Sequence, residues 1–426
     1  MDLFQRVFQT ISPQGKIFYG WYIAAAAGGL QGISMMLWMQ SYGAYVVLLQ
    51  EEFGWGKAWL AGAFAMTRVE SGLLGPLQGW LTDKYGPRAI LRSGILIFGL
   101  GFFLFSQVHT LLSFYGAFAL IAVGASLGGF ATVMVAIVSW FDRHRSKAIA
   151  FSLLGGSVGS LSVPLVFSCL ELFGWRLTAL ISGCLVIALG LPLAQVVRHK
   201  PATFGEKRDG IEFFTTTGSK KPIRYHTDFT ASEAMKLRSF WLISLGHACS
   251  LLTVSVVMVH LVPHLTEGLG YSLKRAGYVM ALLAASLIIG QVIGGYLGDR
   301  FNKRVICTLC MLAHAVGIVL VTYANSVIMV VSFAIVYGVS WGVRGPNLVG
   351  MRADYFGTRS YGTIMGFSSL IAMFGMSIGP ILAGYLADVQ GQYRLGFTVV
   401  AVGAFLGSFA FLAATPPSRS NLEMKV

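Results

Sequence analysis

The sequence carries one short motif twice. Residues 79–88 read GWLTDKYGPR, and residues 295–304, 216 positions later, read GYLGDRFNKR. Both copies hold a glycine, a leucine, an aspartate followed by a base, an aromatic residue and a final arginine. Two further landmarks recur at nearly the same spacing. Pro164 corresponds to Pro380, and WFDRHRSKAIAF at 140–151 corresponds to YFGTRSYGTIMG at 355–366. The chain is therefore predicted to contain two successive copies of one structural unit.

The composition predicts that both units lie in lipid. Of 426 residues, 55% are hydrophobic and 11% are charged, whereas a soluble chain is about 25% charged. No apolar run shows the alternation of a barrel strand, and backbone groups in hydrocarbon must be bonded internally, so the runs are predicted to be helices. The prediction is an all-α membrane protein with twelve transmembrane helices. The predicted spans are 17–48, 57–82, 89–107, 111–139, 146–173, 176–198, 237–266, 272–298, 304–323, 326–351, 360–387 and 394–415.

The repeat and the charges predict the domain organisation and the topology. Residues 1–198 form an N-terminal six-helix half, 199–236 a cytoplasmic linker, and 237–426 a C-terminal six-helix half. With both termini in the cytoplasm, most of the 31 Lys and Arg residues fall in cytoplasmic segments, as the positive-inside rule requires. Arg352 and Arg359 are assigned to the link between spans 10 and 11. We expect a multi-pass protein of the inner or plasma membrane, with no nucleic-acid partner and no extramembrane segment able to hold an enzyme active site.

The repeated motif also resembles a known family. GWLTDKYGPR is similar to the G-x-L-x-D-[RK]-x-G-x-[RK] loop signature of the major facilitator superfamily, and it stands between spans 2 and 3, as in that family. The second copy departs from the signature at Asn302. Stretches at 18–26, 140–151, 259–277 and 378–388 resemble the prokaryotic monocarboxylate and oxalate/formate exchanger branch. The resemblance implies a secondary transporter in which two six-helix repeats surround a central cavity and work by alternating access.

The loop motif supplies the predicted gating residues. Its glycines let neighbouring helices approach closely, and its aspartates can pair with a neighbouring helix terminus. The family resemblance implies that such contacts stabilise one state of the transport cycle. The residues assigned to this role are Gly79, Asp83, Arg88, Gly295, Asp299, Arg300 and Arg304.

Three charged residues lie deep inside predicted spans: Arg68, Glu70 and Arg344. Each costs about 2.5–3.5 kcal/mol at the bilayer centre, so each should face a cavity, a partner or a ligand. Arg68 and Glu70 point about 200° apart on a helix and are not a simple local ion pair, so at least one of them needs a partner on another helix or a ligand. Whether Glu70 pairs with Arg68 or with Arg344 is left open. Two positive charges against one negative charge favour an anionic substrate.

Two polar stripes at helical spacing accompany these charges, one in span 10 and one in span 1. By the resemblance, both spans line the central path. Aromatic rings beside a guanidinium make a plausible lining for a carboxylate. The predicted substrate-binding residues are Arg344, Tyr337, Trp341 and Asn347 in span 10, Gln31, Ser34, Trp38 and Tyr42 in span 1, and Arg68 in span 2.

Glu70 and His260 are the predicted proton-coupling residues, because a buried carboxyl and an imidazole can each exchange a proton. No metal site and no cofactor are expected, since His260 and His264 have no acidic or Cys partner close in sequence. The expected partners are a small organic anion, protons or a counter-anion, and the lipid bilayer, with a monomeric protein. The predicted function is proton symport of a small organic anion, in particular a monocarboxylate. The alternatives are anion exchange, proton-driven efflux of amphipathic compounds and, least favoured, a sensor that transports nothing.

Overall fold

The computed structural model describes residues 17–55, 57–210 and 228–417; within α-helical residues 57–85, a few side chains, that of Arg68 among them, lie outside the description. Its contacts divide the chain into two units. Unit 1 runs to Asp228 and includes Thr358–Gly366, and unit 2 comprises Phe229–Gly357 and the chain from Phe367 onward.

Unit 1 is built from eight described helices. Glycines with positive φ separate two pairs of predicted spans: Gly86 (φ 83°) follows the second span, and Gly174 (φ 71°) interrupts α8 between spans 5 and 6. Only glycine adopts such angles without strain. The helices are α1 (Tyr19–Ser34), α2 (Tyr42–Phe53), α3 (Lys57–Tyr85), α4 (Pro87–Ser106), α5 (Leu111–Leu127), α6 (Phe130–Trp140), α7 (Arg145–Leu161) and α8 (Val163–Val196). A π-helical turn, Met35–Met39, joins α1 to α2.

Unit 2 contains the remaining helices. A short helix with a Thr230–Glu233 capping box precedes the first span. The helices are α9 (Ala231–Lys236), α10 (Arg238–Pro263), α11 (Leu273–Gly298), α12 (Lys303–Thr322), α13 (Val327–Phe356), α14 (Tyr361–Gln390) and α15 (Arg394–Ala413). The first turn of α14, up to Gly366, belongs to unit 1.

The prediction of an all-α membrane protein is confirmed. Each of the twelve predicted runs is helical, and the described residues contain no strand. Among them, ten helical stretches are long and apolar enough to cross a membrane, one of which is the 52-residue stretch Arg145–Val196 that Gly174 divides. The helix α3, which carries Arg68 and Glu70, is not one of the ten.

Glycines let the helices that carry the candidate site pack at short range. In unit 1, a Cβ on Gly155 would lie 2.2 Å from the carbonyl oxygen of Gly28, so α7 and α1 touch backbone to backbone. In unit 2, a Cβ on Gly342 would lie 2.2 Å from the carbonyl oxygen of Leu287, which brings α13 equally close to α11. Small residues permit such approach between helices in lipid. These contacts fix the rotation of α1 and α13, and thus where their polar residues lie.

The assignment of Arg352 to a cytoplasmic link is wrong. The helix α13 continues to Phe356 and ends at Gly357 (φ 79°), so Arg352 lies inside it with 1% of its surface exposed. Its Nε donates to Ser368 Oγ (3.1 Å), and its Nη2 lies 2.8 Å from His247 Nδ1. Arg352 is therefore a buried residue of α13, as Arg344 is, and a count of loop charges should omit it.

Candidate functional site

Arg344 lies in unit 2 on α13, enclosed by protein. Only 3% of its surface is exposed, and its Nε is buried without a hydrogen-bond partner. Among the described residues it makes no ion pair. The glycines Gly338 and Gly342 press α13 against α11, and the arginine lies on another face of the same helix. A buried guanidinium that lacks a counter-ion is costly in a medium of low dielectric constant.

The described groups whose charge interacts with that of Arg344 are neutral or basic. Its charge acts on Tyr337 of the same helix, and no carboxylate is among the groups that act on it. The other side chains within its electrostatic reach come from α10 and α12. We call this set, with Arg344 and Tyr337, the Arg344 site; its further members are His247, Cys307, Cys310 and His314. The site is a buried positive centre with several hydrogen-bonding groups, and no three His, Cys, Asp or Glu side chains of the described chain come together as metal ligands.

The other predicted residues of span 10 have different environments. Tyr337 is fully buried, donates its hydroxyl to Thr253 Oγ1 (3.3 Å) and belongs to the Arg344 site. Trp341 is partly exposed, with its ring centroid 6.3 Å from that of Tyr337. Asn347 instead fastens α13 to α11, because its Nδ2 donates to Gly294 O (3.0 Å) and to Val343 O (2.7 Å). The structure thus brings the rings of Tyr337 and Trp341 together, and places Asn347 at a helix contact.

The predicted stripe of span 1 lies in unit 1 among other side chains of that unit. Gln31 Nε2 donates to Ser152 Oγ of α7 (2.6 Å). The Trp38 ring packs 4.4 Å from the ring of Phe118, and the Tyr42 hydroxyl donates to Leu60 O (2.5 Å). Ser34 borders a small cleft lined mainly by apolar residues of α1, α4 and α8. In this structure Gln31, Trp38 and Tyr42 are buried.

The predicted proton-coupling residues differ in whether their polar atoms have hydrogen-bond partners. Glu70, on α3 of unit 1, is half-buried; Ser71 Oγ donates to its Oε2 (3.2 Å), while its Oε1 is buried with no hydrogen-bond partner in the described part of the chain. Its neighbour in sequence, Arg68, is one of the residues whose side chain lies outside the description. His260, on α10 of unit 2, lies with its Nε2 2.9 Å from Pro380 O, so it donates there.

The first loop motif contacts the start of α14 inside unit 1. The Asp83 carboxylate accepts hydrogen bonds from Gly362 N (2.9 Å), from Thr363 N (2.8 Å) and from Thr363 Oγ1 (2.7 Å). These N–H groups are among those that a helix leaves free at its N-terminus, and a carboxylate is well suited to that positive end. A Cβ on Gly79 would lie 2.0 Å from Gly362 O, so glycine is required for the approach. Arg88 donates through Nε to Val197 O (2.8 Å).

The second loop motif ends α11 in unit 2. Gly295 is buried, and Asp299 follows the helix as its C-cap residue. Arg300 donates to the hydroxyl of Tyr296 and stacks over its ring. Arg304 is the second residue of α12, which Asn302 caps by accepting from Arg304 N (3.0 Å). Asn302, the departure from the signature, therefore has its own role as an N-cap.

Two buried groups were missed by sequence reasoning. Arg352 forms a network with His247 and Ser368, and Ser368 also accepts a hydrogen bond from Ser244 (2.8 Å). Neither Gly nor Pro occurs between the predicted end of the span at 351 and Gly357, and this was the signal that could have placed Arg352 inside the helix. His314 is fully buried and stacks on Tyr337, with ring centroids 4.4 Å apart. No sequence pattern singles it out, because its partner belongs to another helix.

Comparison with known proteins agrees with this fold. The model of the Major Facilitator Superfamily matches residues 24–245 and again residues 243–425. The chain is 25% identical over 409 residues to monocarboxylate transporter 13 of Bos taurus, covering 94% of this chain and 89% of that one. It is 24% identical over 404 residues to the benzoate transport protein of Acinetobacter baylyi, covering 86% and 83%. The solved proton:xylose symporter XylE superposes with a TM-score of 0.72 at 15% identity, over 93% of this chain and 96% of that chain. Since the family model covers most of the sequence in two successive copies, the chain belongs to the Major Facilitator Superfamily of membrane transporters.

Proposed function

We propose that this transporter carries a small organic anion, in particular a monocarboxylate, in symport with protons. The observation that carries the proposal is Arg344, a guanidinium with 3% exposure and no acidic partner among the described residues. A bound carboxylate would supply the missing negative charge. A cationic substrate would instead add to a positive charge that is already uncompensated.

The side chains around Arg344 suit a carboxylate. The planar guanidinium can hold both oxygens of the group in two parallel hydrogen bonds. The aromatic rings of Tyr337 and Trp341 limit water and thereby strengthen that interaction. Two of the relatives, named as a monocarboxylate transporter and a benzoate transport protein, support a monocarboxylate as the substrate class.

Proton coupling is proposed for two polar side chains, Glu70 of unit 1 and His260 of unit 2. Glu70 has a carboxylate oxygen that is buried without a partner in the described residues, and a proton would remove the cost of that charge. His260 is a second candidate, although its Nε2 already donates to Pro380 O. Gln31, Ser34, Trp38, Tyr42, Asn347 and Arg68 complete the proposed lining of the transport path.

The two loop motifs are proposed to act as gates in alternating access between the halves 1–198 and 237–426. The contacts of Asp83 at the N-terminus of α14 support this role, because they join residues 279 or 280 positions apart in the chain. A contact of this kind stabilises whichever state contains it and disfavours the state that lacks it.

Uptake into proteoliposomes tests the proposal. Labelled acetate, pyruvate, lactate and benzoate are offered with and without an imposed pH gradient, inside alkaline. Symport predicts uptake that the gradient accelerates, whereas exchange predicts uptake only when the vesicles are loaded with an unlabelled anion. Arg344→Lys, which keeps the charge and loses the planar fork, should weaken binding, and Glu70→Gln with unchanged acceleration by the gradient would exclude Glu70 from proton coupling. If no anion of the panel enters under any gradient or loading, the proposed function is wrong.

A further inference from the structure

His314, on α12, is an imidazole buried within the Arg344 site. Its ring stacks on Tyr337 at 4.4 Å with an interplanar angle of 25°. Nδ1 lies 3.5 Å from Thr253 Oγ1, whereas Nε2 is buried with no hydrogen-bond partner in the described chain. Arg344 is the charged group that acts on it. A wholly buried ring nitrogen without a partner is uncommon and calls for an explanation.

The hydrogen bonds around Thr253 determine which nitrogen of His314 carries the proton. The Thr253 hydroxyl donates its single proton to Ser250 O (2.7 Å) and accepts from the hydroxyl of Tyr337. Its oxygen can therefore only accept from His314, so Nδ1 must be the N–H. A neutral imidazole has one N–H. The lone pair then lies on Nε2, the nitrogen that has no partner among the described residues.

We infer that His314 binds the proton that accompanies an anion to Arg344. The inference rests on the proposed function, since it needs a carboxylate at Arg344. Without the anion, an imidazolium at His314 would add a second uncompensated charge to the Arg344 site, in a medium of low dielectric constant. A carboxylate at Arg344 cancels the first charge, and the Nε2 lone pair then takes up a proton from solution without any bond being broken. The proton returns to solution when the anion leaves.

The neighbouring helices offer no better proton acceptor. On α13 the titratable neighbours are Tyr337 and Arg344, and on α12 itself they are Cys307 and Cys310. On α10, His247 uses its Nδ1 lone pair to accept from Arg352, because a guanidinium can only donate. The helix α15, which packs along α12, has no titratable side chain after its first residue, Arg394. Within the described part of unit 2, His314 is thus the base of the Arg344 site whose lone pair has no hydrogen-bond partner.

His264 provides a matched control in the same unit. Its Nε2 lies 2.9 Å from Val321 O and must donate there, so its Nδ1 carries the lone pair and is likewise buried without a partner among the described residues. Its ring contacts Phe397, with centroids 4.9 Å apart, and it is outside the Arg344 site. A difference between substitutions at His314 and His264 therefore reports membership of the Arg344 site rather than the loss of any buried imidazole.

The test measures protons and anions together on the purified full chain. Binding of acetate, pyruvate, lactate and benzoate is followed by calorimetry, and proton uptake by an indicator dye in weakly buffered solution. Wild type should take up about one proton per anion, and the dissociation constant should rise about tenfold per pH unit on the alkaline side, because proton and anion binding are reciprocally linked. His314→Gln and His314→Asn should bind the anion with no proton uptake and a dissociation constant independent of pH. His264→Gln should behave as wild type.

Two substitutions of His314 are used in case one of them prevents folding. Glutamine places its amide near the position of Nε2, and asparagine places its amide near Nδ1, where it can still donate to Thr253; neither takes up a proton. Thermal melts show which variant is folded, and a folded one suffices. Anion-linked proton uptake that persists in a folded His314 variant overturns this inference and leaves the proposed function standing. Failure of wild type to bind any anion of the panel overturns the proposed function itself.

Discussion

The two buried arginines of α13 are predicted to respond in opposite directions to the same substitution. Arg344→Met should stabilise the anion-free protein, because the guanidinium has no acidic partner among the described residues. An arginine at the centre of a span costs about 2.5–3.5 kcal/mol on insertion scales. Methionine is apolar and flexible and fills irregular space. We therefore expect a gain of about 2–3 kcal/mol in the free energy of unfolding.

Arg352→Met should destabilise the protein. This guanidinium donates to Ser368 Oγ at 3.1 Å and to His247 Nδ1 at 2.8 Å. A hydrogen bond from a charged group contributes about 1.5–3 kcal/mol, and its loss leaves the acceptor buried and unsatisfied. Two such bonds give an expected loss of at least about 3 kcal/mol. The sites are eight residues apart on one helix, so each variant is the control for the other.

Tryptophan-fluorescence melts and denaturant titrations of the purified full chain measure both effects. The anion-free melts should move up for Arg344→Met and down for Arg352→Met. Adding an anion at about one hundred times its dissociation constant should stabilise wild type by about 2.7 kcal/mol and should leave Arg344→Met unchanged. Equal destabilisation by the two substitutions would refute the reasoning, since it would mean that Arg344 is as well paired as Arg352.

Three further predictions follow from unit 1. Gly155→Ala should lower stability by about 1–3 kcal/mol, because its Cβ would meet the Gly28 backbone at 2.2 Å, whereas Gly116→Ala, with nothing within 4 Å, should be neutral or stabilising; equal melts would contradict this. Asp83→Ala removes three hydrogen bonds from the N-terminus of α14, so hydrogen exchange over residues 361–366 should quicken; unchanged exchange would count against the capping role. Burial, aided by Lys147 and Arg143, lowers the pKa of His144 to about 4, below the unfolded value of 6.5. The stability from its neutral ring is therefore present above about pH 6.5 and is lost as the pH falls toward 4, and melts of His144→Gln should lack that part of the acid loss.

The sequence by itself determined the fold class and the family. Hydropathy and length are local properties, and in lipid they leave the helix as the spanning structure, so the repeat of GWLTDKYGPR as GYLGDRFNKR was enough to predict two six-helix halves. The deep charges Arg344 and Glu70 were also visible, because a charged residue in an apolar run is conspicuous. Helical spacing further predicted that Tyr337 and Arg344 share a face of α13, and both belong to the Arg344 site.

Only the tertiary structure decided what those residues meet. His314 and Cys310 join the Arg344 site from α12, and Asp83 finds its partners 279 and 280 residues away. Arg352 was read as a loop residue, although its helix continues past the predicted span and buries it. The physical reason is the same in each case. A periodic pattern fixes the direction of a side chain relative to its own helix, whereas burial, pairing and charge state depend on which other helix packs there.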